Sequence, residues 1–146
     1  MKGHRAVRER YLEILRRWPV PNEQLRVPTR HGETFVIACG EKTEPPLLLL
    51  HGSAGNSAMW MGDIRAWAEH YRVYSIDVIG EAGLSAPTRP PLASEEYALW
   101  LDDVLEALSI SQTSAEIRYL PEAGHFITGQ TAAILEFLGC SPVLRA

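Results

Sequence analysis

Apolar positions along this chain switch between two periods. Val7, Tyr11, Ile14, Leu15 and Trp18 recur at helical spacing and form one stripe. They predict a helix over residues 3–18, stopped by Pro19 and Pro21. Two β-prone runs, 24–29 and 33–39, flank Arg30-His31-Gly32 and predict an antiparallel hairpin. Residues 47–50 are four consecutive leucines after a polar turn. So apolar a run suits a central parallel strand covered on both faces better than an edge.

Helical spacing returns over residues 57–69, with Ile64, Trp67 and Ala68 on one side. Residues 72–77 predict a further strand and 78–91 a Gly/Pro-rich loop. An amphipathic helix is expected over 94–108, with Ser94 as its N-cap and Glu95 and Glu96 at the positive end of its dipole. A short polar link then leads to a last strand over 116–120, a turn over 121–126 and a final helix over 131–138 closed by Gly139. Strands alternating with helices from residue 47 onward imply βαβ units and a parallel sheet, which the hairpin extends on one side.

A length of 146 residues fits a single α/β domain. The balance of 14 basic against 18 acidic side chains argues against nucleic acid or an anionic membrane as the main partner. No apolar run approaches the ~18 residues of a membrane span. Lys2, Arg5, Arg8 and Arg10 make the N-terminus basic, but no apolar signal core follows them, and Glu9 and Glu13 interrupt the charge. Cys39 and Cys140 read as free thiols in a reducing compartment, which places the chain in the cytoplasm.

The chemistry concentrates in small residues after the leucine strand. His51-Gly52-Ser53-Ala54-Gly55 ends that strand, and a helix opens a few residues later. Such a turn leaves backbone N–H groups unpaired and facing outward, as needed to hold a developing oxyanion. The bland alternative is a plain βα turn whose glycines permit tight geometry. His51, His70 and His125 lack the close spacing of a metal site, and Gly80 and Gly83 form no dinucleotide fingerprint, so neither metal nor organic cofactor is expected.

Four features occur in a fixed order: the strand and HGSAG turn, the strand ending at Asp77 with Gly80, Gly83 and Ser85 after it, the amphipathic helix, and the strand leading to Pro121-Glu122-Ala123-Gly124-His125-Phe126. This order resembles the α/β-hydrolase family, specifically its carboxylesterase-like bacterial members. The resemblance implies a reduced α/β-hydrolase sheet with flanking helices. Residues 1–108 would supply the N-terminal half of the family fold and 115–146 its last strand and helix. It assigns Gly52 and Ser53 to the oxyanion hole, His125 to the catalytic base, and His51, Asp77 and Ser85 to the loops that shape the pocket. Asp77 also reads as a structural turn residue, and His125 as an ordinary loop histidine.

The family pattern breaks between residues 109 and 114. No Gly-x-Ser-x-Gly occurs anywhere, so the nucleophile elbow, the second oxyanion donor and the catalytic acid are missing. The resemblance therefore implies a carboxylic-ester hydrolase with little or no activity, acting if at all on a small ester-like molecule. Two other readings stand beside it. One is a non-catalytic remnant that binds a small apolar ligand, a second copy or a full-length paralogue through an exposed sheet edge. The other is a gene-prediction fragment. In the first picture the strand over 116–120 would sit beside residues 47–50.

Overall fold

The computed structural model describes residues 2–110. Helix α1 (Lys2–Arg16) precedes a hairpin of β1 (Asn22–Thr29) and β2 (Gly32–Cys39). Strand β3 (Pro46–Leu50) leads through a 3₁₀ turn (Ser57–Trp60) and short helix α2 (Ile64–Ala68) into β4 (Arg72–Ile76). Helix α3 (Glu96–Ala107) follows a long loop. The four strands stand in the order β1-β2-β4-β3, with β1–β2 and β2–β4 antiparallel and β3–β4 parallel. This is the hairpin-extended mixed sheet that the apolar pattern implied.

Strand β2 lies inside the sheet, and its side chains alternate between two apolar layers. Phe35, Ile37 and Cys39 face Tyr11, Leu15 and Trp18 of the N-terminal segment, together with Trp60, Ile64 and Trp67. Val36 faces the other way, towards Trp100 and Val104 of α3. Trp60 meets Trp67 edge-on with ring centroids 5.9 Å apart. On the α3 side, the buried Trp100 Nε1–H donates to Thr34 Oγ1 at 2.8 Å.

Three local expectations need correction. The segment over 57–69 is not one helix: the amides of Met59, Met61 and Asp63 donate to carbonyls only three residues back, and Gly62, a poor helix former, sits in the break. The cap residue of α3 is Glu95, whose side chain makes no cap bond; Ser94, one residue earlier, still accepts the Glu96 N–H on its hydroxyl oxygen at 3.4 Å while donating to Pro91 O at 2.6 Å. Val7 is 49% exposed, so the buried stripe of α1 starts only at Tyr11.

Among the described residues β3 pairs with β4 alone. Its expected second neighbour, residues 116–120, lies outside the described residues, as do His125, Cys140, the turn over 121–126 and the helix over 131–138.

The hairpin tip is fastened to α3 by ion pairs. Arg30 grips Asp103 with Nε and Nη2, each at 2.9 Å, while its backbone N–H donates to the same carboxylate. These hydrogen bonds hold the Asp103 carboxyl down at about 2. A carboxylate with a depressed folded-state pKa stabilises the fold above its unfolded value near 4 and loses that contribution as pH falls towards 2. Unfolding midpoints in urea should therefore drop between pH 4 and pH 2. Arg30→Gln should flatten that slope, modestly because the pair lies at the surface. An unchanged slope would show that the clamp carries no pH-dependent stability.

Candidate active site

The site lies at the C-terminal ends of β3 and β4, where ligands bind in open α/β sheets. Two segments meet there, the turn over 51–56 and the loop over 77–85, and side chains tie them together at four points. His51 Nε2 accepts the Val78 N–H at 2.9 Å while Nδ1 faces Gly52 O at 2.8 Å. A backbone amide can only donate and a carbonyl can only accept, so the imidazole carries its proton on Nδ1. Both ring nitrogens are thereby committed, and His51 is a fastener rather than a base.

The second tie is Asn56, whose Oδ1 accepts the Ala58 N–H at 3.0 Å and whose Nδ2 donates to Ala82 O at 2.9 Å. The third is Glu81, whose Oε2 accepts the Ala54 N–H at 2.7 Å. The turn closes with the Gly55 N–H donating to Gly52 O at 3.2 Å. Ala54 adopts φ +61°, a conformation that costs a non-glycine residue about 1–2 kcal/mol. The turn is tightly packed at Gly55, where a Cβ would come within 2.7 Å of Met59 Sδ and 3.1 Å of Gly52 O.

Asp77 makes the fourth tie and is fully buried. Its Oδ1 accepts from Tyr11 Oη at 3.0 Å, Ser57 N at 2.9 Å and Ser57 Oγ at 2.7 Å, and its Oδ2 accepts the Leu84 N–H at 2.9 Å. No cation pairs with it among the described residues. Four neutral donors hold the charge instead, as buried carboxylates require. Burial, then the Asp77 charge and hydrogen bond, pushes the Tyr11 phenol far above its ordinary range, so Tyr11 is a permanent donor. Asp77 is thus the structural residue of the loop, one of the two readings open in the sequence.

The serines divide into used and free. Ser85 Oγ donates to Asp77 O at 2.5 Å and accepts the Phe35 N–H at 2.8 Å, which sews the loop to β2. Ser57 Oγ is spent on Asp77. Ser53 is exposed, and its hydroxyl has no partner among the described residues. The amides of Gly52 and Ser53 likewise meet no acceptor among the described residues. They remain available to a ligand oxygen. No cluster of three or more His, Cys, Asp or Glu side chains suited to a metal ion occurs among the described residues.

Sequence reasoning singled out His51, Gly52, Ser53, Asp77 and Ser85, and the structure brings all five to one end of the sheet. It missed Tyr11, Asn56, Ser57 and Glu81. Asn56 carried a legible signal, an Asn immediately before a helical turn. Nothing local marked Tyr11 or Glu81.

The chain resembles known proteins. A family model described as alpha/beta hydrolase fold matches residues 45–114. Carboxylesterase YbfK of Bacillus subtilis is 39% identical over 100 residues, 68% of this chain and 34% of the relative. Its crystal structure superposes with a TM-score of 0.64 at 36% identity, over 74% of this chain and 38% of that one. Naproxen esterase from Bacillus subtilis gives a TM-score of 0.62 at 41% identity, over 70% and 36% of the two chains. Epoxide hydrolase 3 of Xenopus tropicalis is 34% identical over 77 residues, 52% of this chain and 21% of the relative. The chain thus spans about a third of the length of the carboxylesterase relatives it matches. Relatives named for esters and for epoxides share this part, so it does not by itself set the substrate.

Proposed function

The chain belongs to the α/β-hydrolase family and has carboxylesterase homologues, and from that premise we propose that it is a carboxylic-ester hydrolase scaffold that retains its oxyanion turn but lacks a nucleophile. One observation carries this reading. The Gly52 and Ser53 amides meet no acceptor among the described residues and stand on a turn fastened by His51, Asn56 and Glu81, while the Ser57 and Ser85 hydroxyls beside it are committed to Asp77 or the backbone. Ser53 alone has a free hydroxyl on the turn, and His51 cannot activate it because both ring nitrogens are in use.

The missing Gly-x-Ser-x-Gly supports the same conclusion. Removing a triad nucleophile lowers turnover by about a millionfold and leaves a residual of roughly 10³–10⁴ over water from the oxyanion hole and binding. Half the hole would be absent here as well, so turnover should fall below that residual. In this proposal His125 is the surviving base, the ligand is a small neutral ester, no metal or organic cofactor takes part, and the protein works in the cytoplasm. Relative to full-length members, the chain is shortened between residues 108 and 115.

A serine-reactive fluorophosphonate with intact-mass readout, beside a short-chain ester assay, tests the proposal. No adduct and no turnover above background are expected. A stoichiometric adduct that disappears in His125→Ala would overturn it.

A second reading is favoured by the β3 edge, where Leu50 is 41% exposed and only β4 pairs with the strand among the described residues. An unpaired apolar edge can accept another chain. The partner would be a second copy or a full-length paralogue. A concentration-dependent oligomer in sedimentation, without adduct, would favour this reading.

A further inference from the structure

Among the described residues, Glu81 is the one ionisable side chain that reaches the oxyanion turn without being buried in the scaffold beneath it. Its Oε2 accepts the Ala54 N–H at 2.7 Å, one peptide unit from the free amide of Ser53. The side chain is half-buried. Among the described residues no cation pairs with it and its Oε1 makes no hydrogen bond. Among the described residues nothing neutralises this carboxylate, which lies beside the donors that would receive a ligand oxygen. The hydrogen bond also helps hold Ala54 at φ +61°.

We infer that Glu81 sets the charge preference of this turn, admitting the neutral carbonyl of an ester and rejecting a carboxylate. The inference rests on reading the turn as a receptor for a carbonyl oxygen. An ester carbonyl brings a dipole that the Gly52 and Ser53 amides can satisfy at little cost from a neighbouring charge. A carboxylate brings a like charge into the same space. Even at the dielectric of water, two unit charges about 4 Å apart repel enough to weaken binding about fivefold, and more where solvent is excluded. Ester hydrolysis converts a neutral ligand into an anion, so this charge would discriminate against the product acid and, by the same repulsion, against a full oxyanion, in keeping with a turn that receives esters without turning them over. Glu81 is a specificity-determining residue in this account and touches no reacting atom.

Backbone-amide NMR titration of the purified chain with methyl butyrate and, separately, sodium butyrate at constant ionic strength tests the assignment. The ester should shift the Gly52, Ser53 and Ala54 amide signals with equal affinity in the native chain and in Glu81→Gln, which keeps an acceptor oxygen for Ala54. Butyrate should bind Glu81→Gln at least about fivefold more tightly than the native chain. Glu81→Ala, which loses both charge and hydrogen bond, should show the same gain. Equal butyrate affinity in the native chain and Glu81→Gln, with the ester response intact, overturns the role of Glu81 alone. A gain confined to Glu81→Ala overturns it too, because the hydrogen bond and not the charge would then matter. If neither ligand moves these amides in any form, the carbonyl-receptor reading fails and takes the inference with it.

Discussion

Replacing Asp77 by alanine should lower the unfolding free energy by about 3–5 kcal/mol, read as a shift of the urea midpoint at unchanged slope. Few single substitutions in a domain cost so much, and the reason is specific. The carboxylate accepts from Tyr11 Oη, Ser57 N, Ser57 Oγ and Leu84 N, in a place with no solvent access. Removing it leaves four donors facing a void, each costing about 1–3 kcal/mol if it stays unsatisfied, with water entry recovering part of the sum. Against a typical total of about 5–15 kcal/mol, the loss brings the domain near its folding threshold. Asp77→Asn should cost less, since its carbonyl oxygen can still serve Ser57 and Tyr11. Its amide group, however, would confront the Leu84 N–H donor to donor. A loss below about 1 kcal/mol in Asp77→Ala would mean that the network is ornamental to stability.

The same network explains which parts of the molecule could be read from the chain. The hairpin, the leucine strand, the strand ending at Asp77 and the helix after it each advertise themselves through local periodicity. All appear within a few residues of their expected bounds. The HGSAG turn was legible because small residues cluster straight after a run of four leucines. The partners of Asp77 were not legible in the same way. Tyr11 is 66 residues away and belongs to a helix whose apolar stripe accounts for it fully as a core residue. Its hydroxyl finds Asp77 only after the helix has packed on the sheet. Glu81 reads locally as one more polar residue in a glycine-rich loop, and only the fold of that loop over the turn gives its carboxylate the Ala54 amide. Ser85, which the resemblance assigns to a pocket-shaping loop, fastens that loop to β2 by accepting from Phe35 N and donating to Asp77 O, a long-range tie that nothing local marks. Local pattern specifies the elements, and long-range polar contacts then fix the site.

Gly83→Ala should be nearly as costly as losing Asp77, by about 3 kcal/mol, although it removes no polar atom. A Cβ at residue 83 would lie 2.4 Å from Asp77 Oδ2 and 2.6 Å from its Cγ, so either the loop or the carboxylate must move. The carboxylate cannot move freely, because Oδ1 is held by Tyr11 and Ser57 while Oδ2 receives Leu84 N from the residue next to Gly83. Displacing the loop would draw Leu84 out of the core and loosen Ser85 from β2. The two substitutions should therefore be non-additive. In an Asp77→Ala background the methyl group at 83 no longer meets Oδ2 or Cγ but still lies 2.8 Å from the retained Cβ, so Gly83→Ala should cost less than in the native chain without becoming free, an interaction energy of about 1 kcal/mol across the double-mutant cycle. Circular dichroism and urea melts on the two single variants and the double variant measure it. Additive losses would mean that the clash with the carboxylate is not what makes Gly83 costly to replace, since its φ is one that any residue can adopt. The close packing of that glycine on Asp77 would then have no energetic meaning. The expected result makes the pair a single unit: a glycine beside a buried charge, by which the loop after β4 is pinned to α1 and to the segment after β3 together.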